Sequence, residues 1–213
     1  MIIELFGLPG TGKTTIVSYL SNLQTEYSII PEGKEIPMIL ILRNALTHDF
    51  VLFSLLAWKL YVSKTKKDKT DFRSLKFMLK TYLKYKTLDR RESFLLNDHG
   101  IIQCLSSLVW MDESRIDDAN RIIEYTMRHM ANKVSFLYAF NPDLQRVLER
   151  NTLRSKERRL LHLSEEEKKR LLAIQSSFFQ FAHALSLKYN CGYLIDTNES
   201  VEINASCITK HFQ

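Results

Sequence analysis

Short apolar runs alternate along this chain with longer stretches whose apolar residues recur every three or four positions, which is the pattern of strands alternating with helices. Ile2–Phe6 predicts a buried first strand. A helix follows from Lys13 to Leu23, with Ile16, Leu20 and Leu23 on one face. Tyr27–Ile30 predicts a second strand, ending at Pro31-Glu32-Gly33. No convincing strand occurs between 36 and 88. That region predicts three helices: one opened by Pro37, one over Phe50–Val62 with Asp49 as N-cap, and one over Phe72–Leu88 with Asp71 as N-cap. In the last, Leu75, Met78, Leu79, Tyr82 and Leu83 form an apolar stripe, and Lys76, Lys80 and Lys84 run beside it. Phe53, Trp58 and Tyr61 lie on an apolar helix and are expected in the core.

Ser93–Asn97 predicts a third strand, closing on Asp98-His99-Gly100. Helices are expected from Ile101 to about Met111 and from Asp117 to Met130. Val134–Phe140 is the clearest strand. It passes through Asn141-Pro142, read as a cap and first helical position, into a helix over Leu144–Leu153. After a basic stretch, Arg154–His162, the capping box Ser164-Glu165-Glu166-Glu167 opens a long helix to about Tyr189. Gly192–Asp196 predicts the last strand and 199–212 the last helix. The order predicts an α/β fold, with about five mainly parallel strands and helices on both faces, in a single domain over 1–213. Ligands of such sheets sit beyond the carboxyl ends of the strands. The residues to read for chemistry are therefore the loop after Phe6, Glu32, Asp98, Asn141-Pro142 and Asp196-Thr197.

The loop after the first strand is Gly7-Leu8-Pro9-Gly10-Thr11-Gly12-Lys13-Thr14, a full G-x-x-x-x-G-K-[ST] between a strand and a helix. Glycines let backbone N–H groups converge on phosphate oxygens without a Cβ in the way. The helix starting at Lys13 adds the positive end of its dipole. Gly7, Pro9, Gly10, Thr11, Gly12, Lys13, Thr14 and Thr15 are thus the candidate ATP-phosphate site. Lys13 would reach the β- and γ-phosphates, and the Thr14 hydroxyl would ligate Mg²⁺. Asp98 would join Thr14 at the metal or take a proton from an attacking hydroxyl; its alternative is a cap for the helix at Ile101. Glu32 is a candidate general base or a solvated turn residue. Arg146, Arg150 and Arg154 recur at i, i+4 and can share a helix edge aimed at the loop, with 154–163 as a lid. Arg150 and Arg154 are the candidate charge-neutralising residues; a solvated basic face paired with Glu149 and Glu157 is the alternative.

At 213 residues and 45% hydrophobic, the chain can bury a substantial core, and six Gly and four Pro leave no flexible linker. No basic leader or cleavage site precedes the first strand, and the longest apolar run, Phe50–Trp58, falls short of a bilayer span of roughly 20 residues. Cys104, Cys191 and Cys207 are odd in number and widely spaced, so a cytoplasmic protein is expected. The net charge of +6 is uneven, because twelve Lys and Arg against three Asp between Lys59 and Arg91 give that segment +9. A solvated face on the inserted helices is the plainest account. An acidic or phosphorylated substrate is the second, and a nucleic-acid or membrane surface the third.

The order of these signals resembles the P-loop kinases of the nucleoside and nucleotide kinase group, similar to thymidylate kinases and deoxynucleoside kinases. Gly7–Thr14, Glu32, Asp98 and Arg146 to Arg159 stand where that group has its phosphate loop, its second-strand carboxylate, its third-strand acid and its lid arginines. Tyr138-Ala139-Phe140-Asn141-Pro142-Asp143, with Arg146 and Arg150, looks like the group's approach to its lid. His99 replaces the Arg that follows the acid in the group, and the 36–90 insertion is longer and more basic. The resemblance implies a three-layer P-loop fold and transfer of the γ-phosphoryl of ATP, with Mg²⁺, to a small-molecule hydroxyl or phosphate acceptor such as a nucleoside or nucleotide. The competing expectation is a P-loop ATPase switch or a nucleic-acid-associated ATPase. No Asn-Lys-x-Asp is present, which argues against a guanine-reading GTPase.

Overall fold

The computed structural model describes residues 1–23, 27–30, 47–63, 69–88, 94–109, 112–153 and 163–212. Five strands, β1 (Ile2–Phe6), β2 (Tyr27–Ile29), β3 (Phe94–Asn97), β4 (Val134–Phe140) and β5 (Gly192–Asp196), form one sheet in the order β2-β3-β1-β4-β5. Every pairing is parallel. Ile3 of β1 lies opposite Leu96 of β3 on one side and Ser135 of β4 on the other.

The helices are α1 (Lys13–Leu23), α2 (His48–Ser63), α3 (Lys69–Thr87), α4 (Ile101–Leu108), α5 (Ile116–Met130), α6 (Leu144–Leu153), α7 (Glu165–Lys188) and α8 (Val201–Phe212). They cover both faces of the sheet, which gives the three layers expected. The two-residue period of β1 divides its side chains between these layers. Ile3 and Leu5 pack with Ile16, Val17 and Leu20 of α1 and Ala205 and Ile208 of α8. Ile2 and Phe6 face the thicker layer with α2, α3, α4, α5 and α7. No described helix is long and apolar enough to cross a membrane.

Several element ends differ from the expectations. Asp49 is not the cap of α2: Thr47 Oγ1 accepts from Phe50 N at 3.4 Å, and Asp49 sits in the first turn, paired with Lys86 at 2.8 Å. Asp71 likewise lies inside α3, buried. Asn141-Pro142 precedes the cap of α6, where Asp143 Oδ1 accepts from Arg146 N at 2.9 Å. Helix α4 ends at Leu108, short of Met111, which lies outside the described residues. The Ser164–Glu167 capping box is present in full. Phe53 is in the core, but Trp58 is more than half exposed. Apolar residues at 51, 55, 58 and 62 recur with the same helical spacing as the buried Phe53, Ala57 and Leu60, so periodicity did not choose between the two faces. The helix opened by Pro37 lies outside the described residues.

Candidate active site

The loop between β1 and α1 has the backbone that its glycines permit: Gly7, Gly10 and Gly12 have φ of 145°, 84° and 88°, a region closed to most side chains. Thr11 closes the turn, its N–H and hydroxyl both donating to Leu8 O, at 3.4 and 2.8 Å. The first α-helical bond of α1 runs from Ile16 N to Gly12 O. The N–H groups of Lys13, Thr14 and Thr15 therefore precede the intrahelical ladder and face out of the helix end. No acidic residue occupies that first turn. An anion is the partner that this end suits.

Lys13 is almost fully buried, and its Nζ donates to Gly7 O at 2.9 Å and Leu8 O at 2.8 Å. The ammonium thus braces the loop, a structural duty that the sequence did not reveal. Thr14 Oγ1 donates to Asp98 Oδ2 at 2.7 Å, across 84 residues of sequence. Asp98 does not cap α4; Gly100 holds that position, with no side-chain bond of its own. β1 and β3 are neighbours, so the end of one presents the hydroxyl and the end of the other the carboxylate. Among the described residues no group of three or more His, Cys, Asp and Glu could hold a metal. Magnesium does not need one: it is held by one or two protein oxygens, substrate phosphates and water, and a hydroxyl with one carboxylate is such a donor set.

Beside the loop opens a cleft of about 530 Å³, lined by Gly10, Thr11, Thr15, Arg146, Arg150, the turn at 197–200 and the start of α8. Its size is ordinary for a small-molecule site. Arg150 Nη1 donates to Gly10 O at 3.4 Å. Helix α6 therefore brings Arg146 and Arg150 to the phosphate loop, as their spacing predicted. Arg154, Glu32 and most of the 154–163 lid lie outside the described residues. Thr197, named from its strand end, is anchored to Phe140 O through both its N–H and its hydroxyl. The rest of that turn carried no sequence signal.

No protein-family model matches this chain, and no curated protein matches it in sequence. Solved structures do resemble it. The deoxyadenosine kinase of M. mycoides with bound dATP is 18% identical, with 100% of this chain and 99% of that chain covered at a TM-score of 0.53. The same enzyme with dCMP and a flexible dCDP is 16% identical over 100% and 98%, at a TM-score of 0.55. The fold is that of a P-loop kinase. A shikimate kinase from Acinetobacter baumannii in complex with shikimate is a weaker likeness, 18% identical over 99% and 92% at a TM-score of 0.47.

In β1, ahead of the glycine loop, lies a residue that carried no signal in the sequence. Glu4, in the middle of the apolar β1, is fully buried on the face shared with Ile2 and Phe6. Its Oε1 accepts from Ile102 N at 2.9 Å, so a strand residue serves the N-terminus of α4, and its Oε2 accepts from Tyr85 Oη at 2.8 Å. A Cβ on Gly100 would lie 1.9 Å from the Glu4 carboxyl carbon, so only glycine fits there. Burial raises the Glu4 carboxyl from its ordinary value of 4.5 to about 7, against the lowering effect of the Ile102, Tyr85 and Ile101 hydrogen bonds. Burial and the Glu4 charge push the Tyr85 hydroxyl and the Cys104 thiol well up in turn.

A pH dependence follows. Between about pH 4.5 and 7 the folded chain holds a proton on Glu4 that the unfolded chain has lost. The associated stability is complete below that window and lost as pH rises through it. Wild type should lose roughly 2–3 kcal/mol relative to Glu4→Gln between pH 5 and 8. Urea unfolding of both proteins at the two pH values measures this, and a difference independent of pH would reject it.

Proposed function

We propose that this chain is an ATP-dependent phosphotransferase that moves the γ-phosphoryl group of ATP to a small-molecule acceptor, with nucleosides and nucleotides as the first class to test. The Thr14–Asp98 contact carries the reading, because it brings a hydroxyl and a carboxylate together at the mouth of the phosphate loop. The loop N–H groups and Lys13 bind the β- and γ-phosphates, and the cleft beside Arg146 and Arg150 takes the rest of the nucleotide. Thr14 and Asp98 would hold Mg²⁺, which would supply neutralisation of charge on the phosphate oxygens.

In the reaction the acceptor oxygen bonds to the γ-phosphorus as the bond to the β–γ bridging oxygen breaks, and ADP leaves with that electron pair. The acceptor proton passes to a carboxylate. Glu32 is the proposed base, with Asp98 as the other candidate. Arg150, already at the loop, offsets charge that develops on the transferred group. Arg154 would act with it from the lid. The basic helix α3, with Arg73, Lys76 and Lys80 exposed, suits an acidic or phosphorylated acceptor.

Incubation with ATP, Mg²⁺ and a panel of nucleosides, nucleotides and sugars, read by mass spectrometry, tests the proposal. A phosphorylated acceptor is the expected product. Steady ATP hydrolysis with no product from the panel would favour the ATPase reading instead. Arg150→Ala is expected to lower turnover about 10- to 1,000-fold, the usual cost of removing one donor to developing charge. Turnover within twofold of wild type would remove Arg150 from the mechanism.

A further inference from the structure

The turn carrying Asp98 and His99 is held at both ends by groups that trace back to Glu4. On the side before it, Tyr85 Oη donates to Glu4 Oε2 at 2.8 Å and accepts from Asn97 Nδ2 at 2.8 Å. The same Asn97 uses its Oδ1 to accept from His99 N at 3.0 Å. On the side after it, Ile102 N donates to Glu4 Oε1, and Gly100 packs directly over the carboxylate. Asn97 is also the β3 residue in register with Glu4. The hydrogen bonds have one direction: amide to hydroxyl to carboxylate, with the Asn97 oxygen left to hold the turn.

We infer that Glu4 is a positioning residue for the metal-holding pair, fixing the 98–100 turn through Tyr85, Asn97 and the α4 N-terminus so that Asp98 meets Thr14. The inference rests on the reading of Thr14 and Asp98 given above. Glu4 is itself fully buried. In its ionised form, above about pH 7, it offers both oxygens as acceptors, and an isosteric amide cannot supply that. In Glu4→Gln, the new N–H₂ group faces the Tyr85 oxygen, the Tyr85 proton turns toward Asn97, and the Asn97 oxygen must leave His99 N–H to receive it.

Two measurements on Glu4→Gln decide the matter. Amide hydrogen exchange reads the turn, and His99 exchange is expected to rise about tenfold or more. Affinity for a non-hydrolysable ATP analogue, with and without Mg²⁺, reads the pair. The magnesium-dependent gain should fall about tenfold, toward that of Asp98→Asn, and the double variant Glu4→Gln/Asp98→Asn should fall no further. Wild-type exchange at His99, or a wild-type magnesium gain with exchange raised, overturns the proposal. If the wild-type chain itself gains nothing from Mg²⁺, the reading of Thr14 and Asp98 fails, and His99 exchange alone decides whether Glu4 sets the turn. Should Glu4→Gln fail to fold, Tyr85→Phe cuts the same relay at its middle and is expected to raise His99 exchange and lower the magnesium gain. Tyr85→Phe with neither change overturns the proposal equally.

Discussion

Asp98→Asn is expected to lower phosphoryl-transfer turnover by about two to four orders of magnitude while the fold stays intact. The substitution keeps an oxygen that can accept from Thr14 Oγ1, so the contact between the two strand ends survives. What it removes is the negative charge, which a divalent cation or an acceptor proton needs and a hydroxyl does not. Affinity for nucleotide without Mg²⁺ depends on the loop N–H groups and Lys13 and should change little. A loss confined to turnover has the kinetic form of an interaction made in the transition state. Steady-state kinetics with the acceptor found in the panel, alongside nucleotide titration, give the answer. Turnover near wild type would reduce Asp98 to a partner of Thr14 and leave Glu32 as the remaining carboxylate candidate.

Gly100→Ala should be strongly destabilising. The new carbon would sit 1.9 Å from Glu4 Cδ and 2.2 Å from each carboxylate oxygen. Glu4 cannot swing aside cheaply, because it is fully buried and bonded to Tyr85 and Ile102. Moving it would leave a buried hydroxyl, a helix-end N–H and a carboxylate all without partners. A loss of about 3–5 kcal/mol is expected, the range of overpacking combined with a broken buried network. Chemical denaturation measures it. Glu4→Ala in the same chain should restore part of the loss by vacating the space, which a backbone defect at position 100 would not allow. A Gly100→Ala protein within about 1 kcal/mol of wild type would mean that the 98–100 turn yields easily.

The sheet was legible in the sequence because its strands announce themselves locally. Val134–Phe140 is apolar on both faces, as a central parallel strand must be, and Ile2–Phe6 is followed by a loop that only a strand-to-helix junction accommodates. The positions of Thr14 and Asp98 were legible for a similar reason: one opens the helix after β1 and the other follows β3, both at the carboxyl edge of the sheet. Cap positions were not. Thr47, Asp49, Asn141 and Asp143 all carry side chains that cap helices, and which one does so depends on where the backbone turns, a matter of one or two residues. Glu4 was hidden by its neighbours. One acid in a five-residue apolar strand reads as a flaw in the pattern until Tyr85 and Ile102, 81 and 98 residues away, are seen beside it. The place of Asn198–Ser200 and the start of α8 in the cleft was hidden likewise, since the segment has no motif and gains meaning only by lining the same cleft as α6.

The position of β1 also bears on how the chain comes to be folded as it is made. The earliest of these five strands in the chain is the middle strand of the sheet, and its partners are Phe94–Asn97 and Val134–Phe140. Emerging from the ribosome, Ile2–Phe6 has no neighbour to pair with until Phe94–Asn97, roughly 90 residues further on, has been translated. The phosphate loop, which is shaped by the strand before it, has to wait as well. Closing a loop of that length is slow, and an apolar strand left waiting is exposed to other chains. Nascent chains stopped before Phe94 would thus carry the whole glycine-loop sequence without either strand that flanks β1 in the sheet.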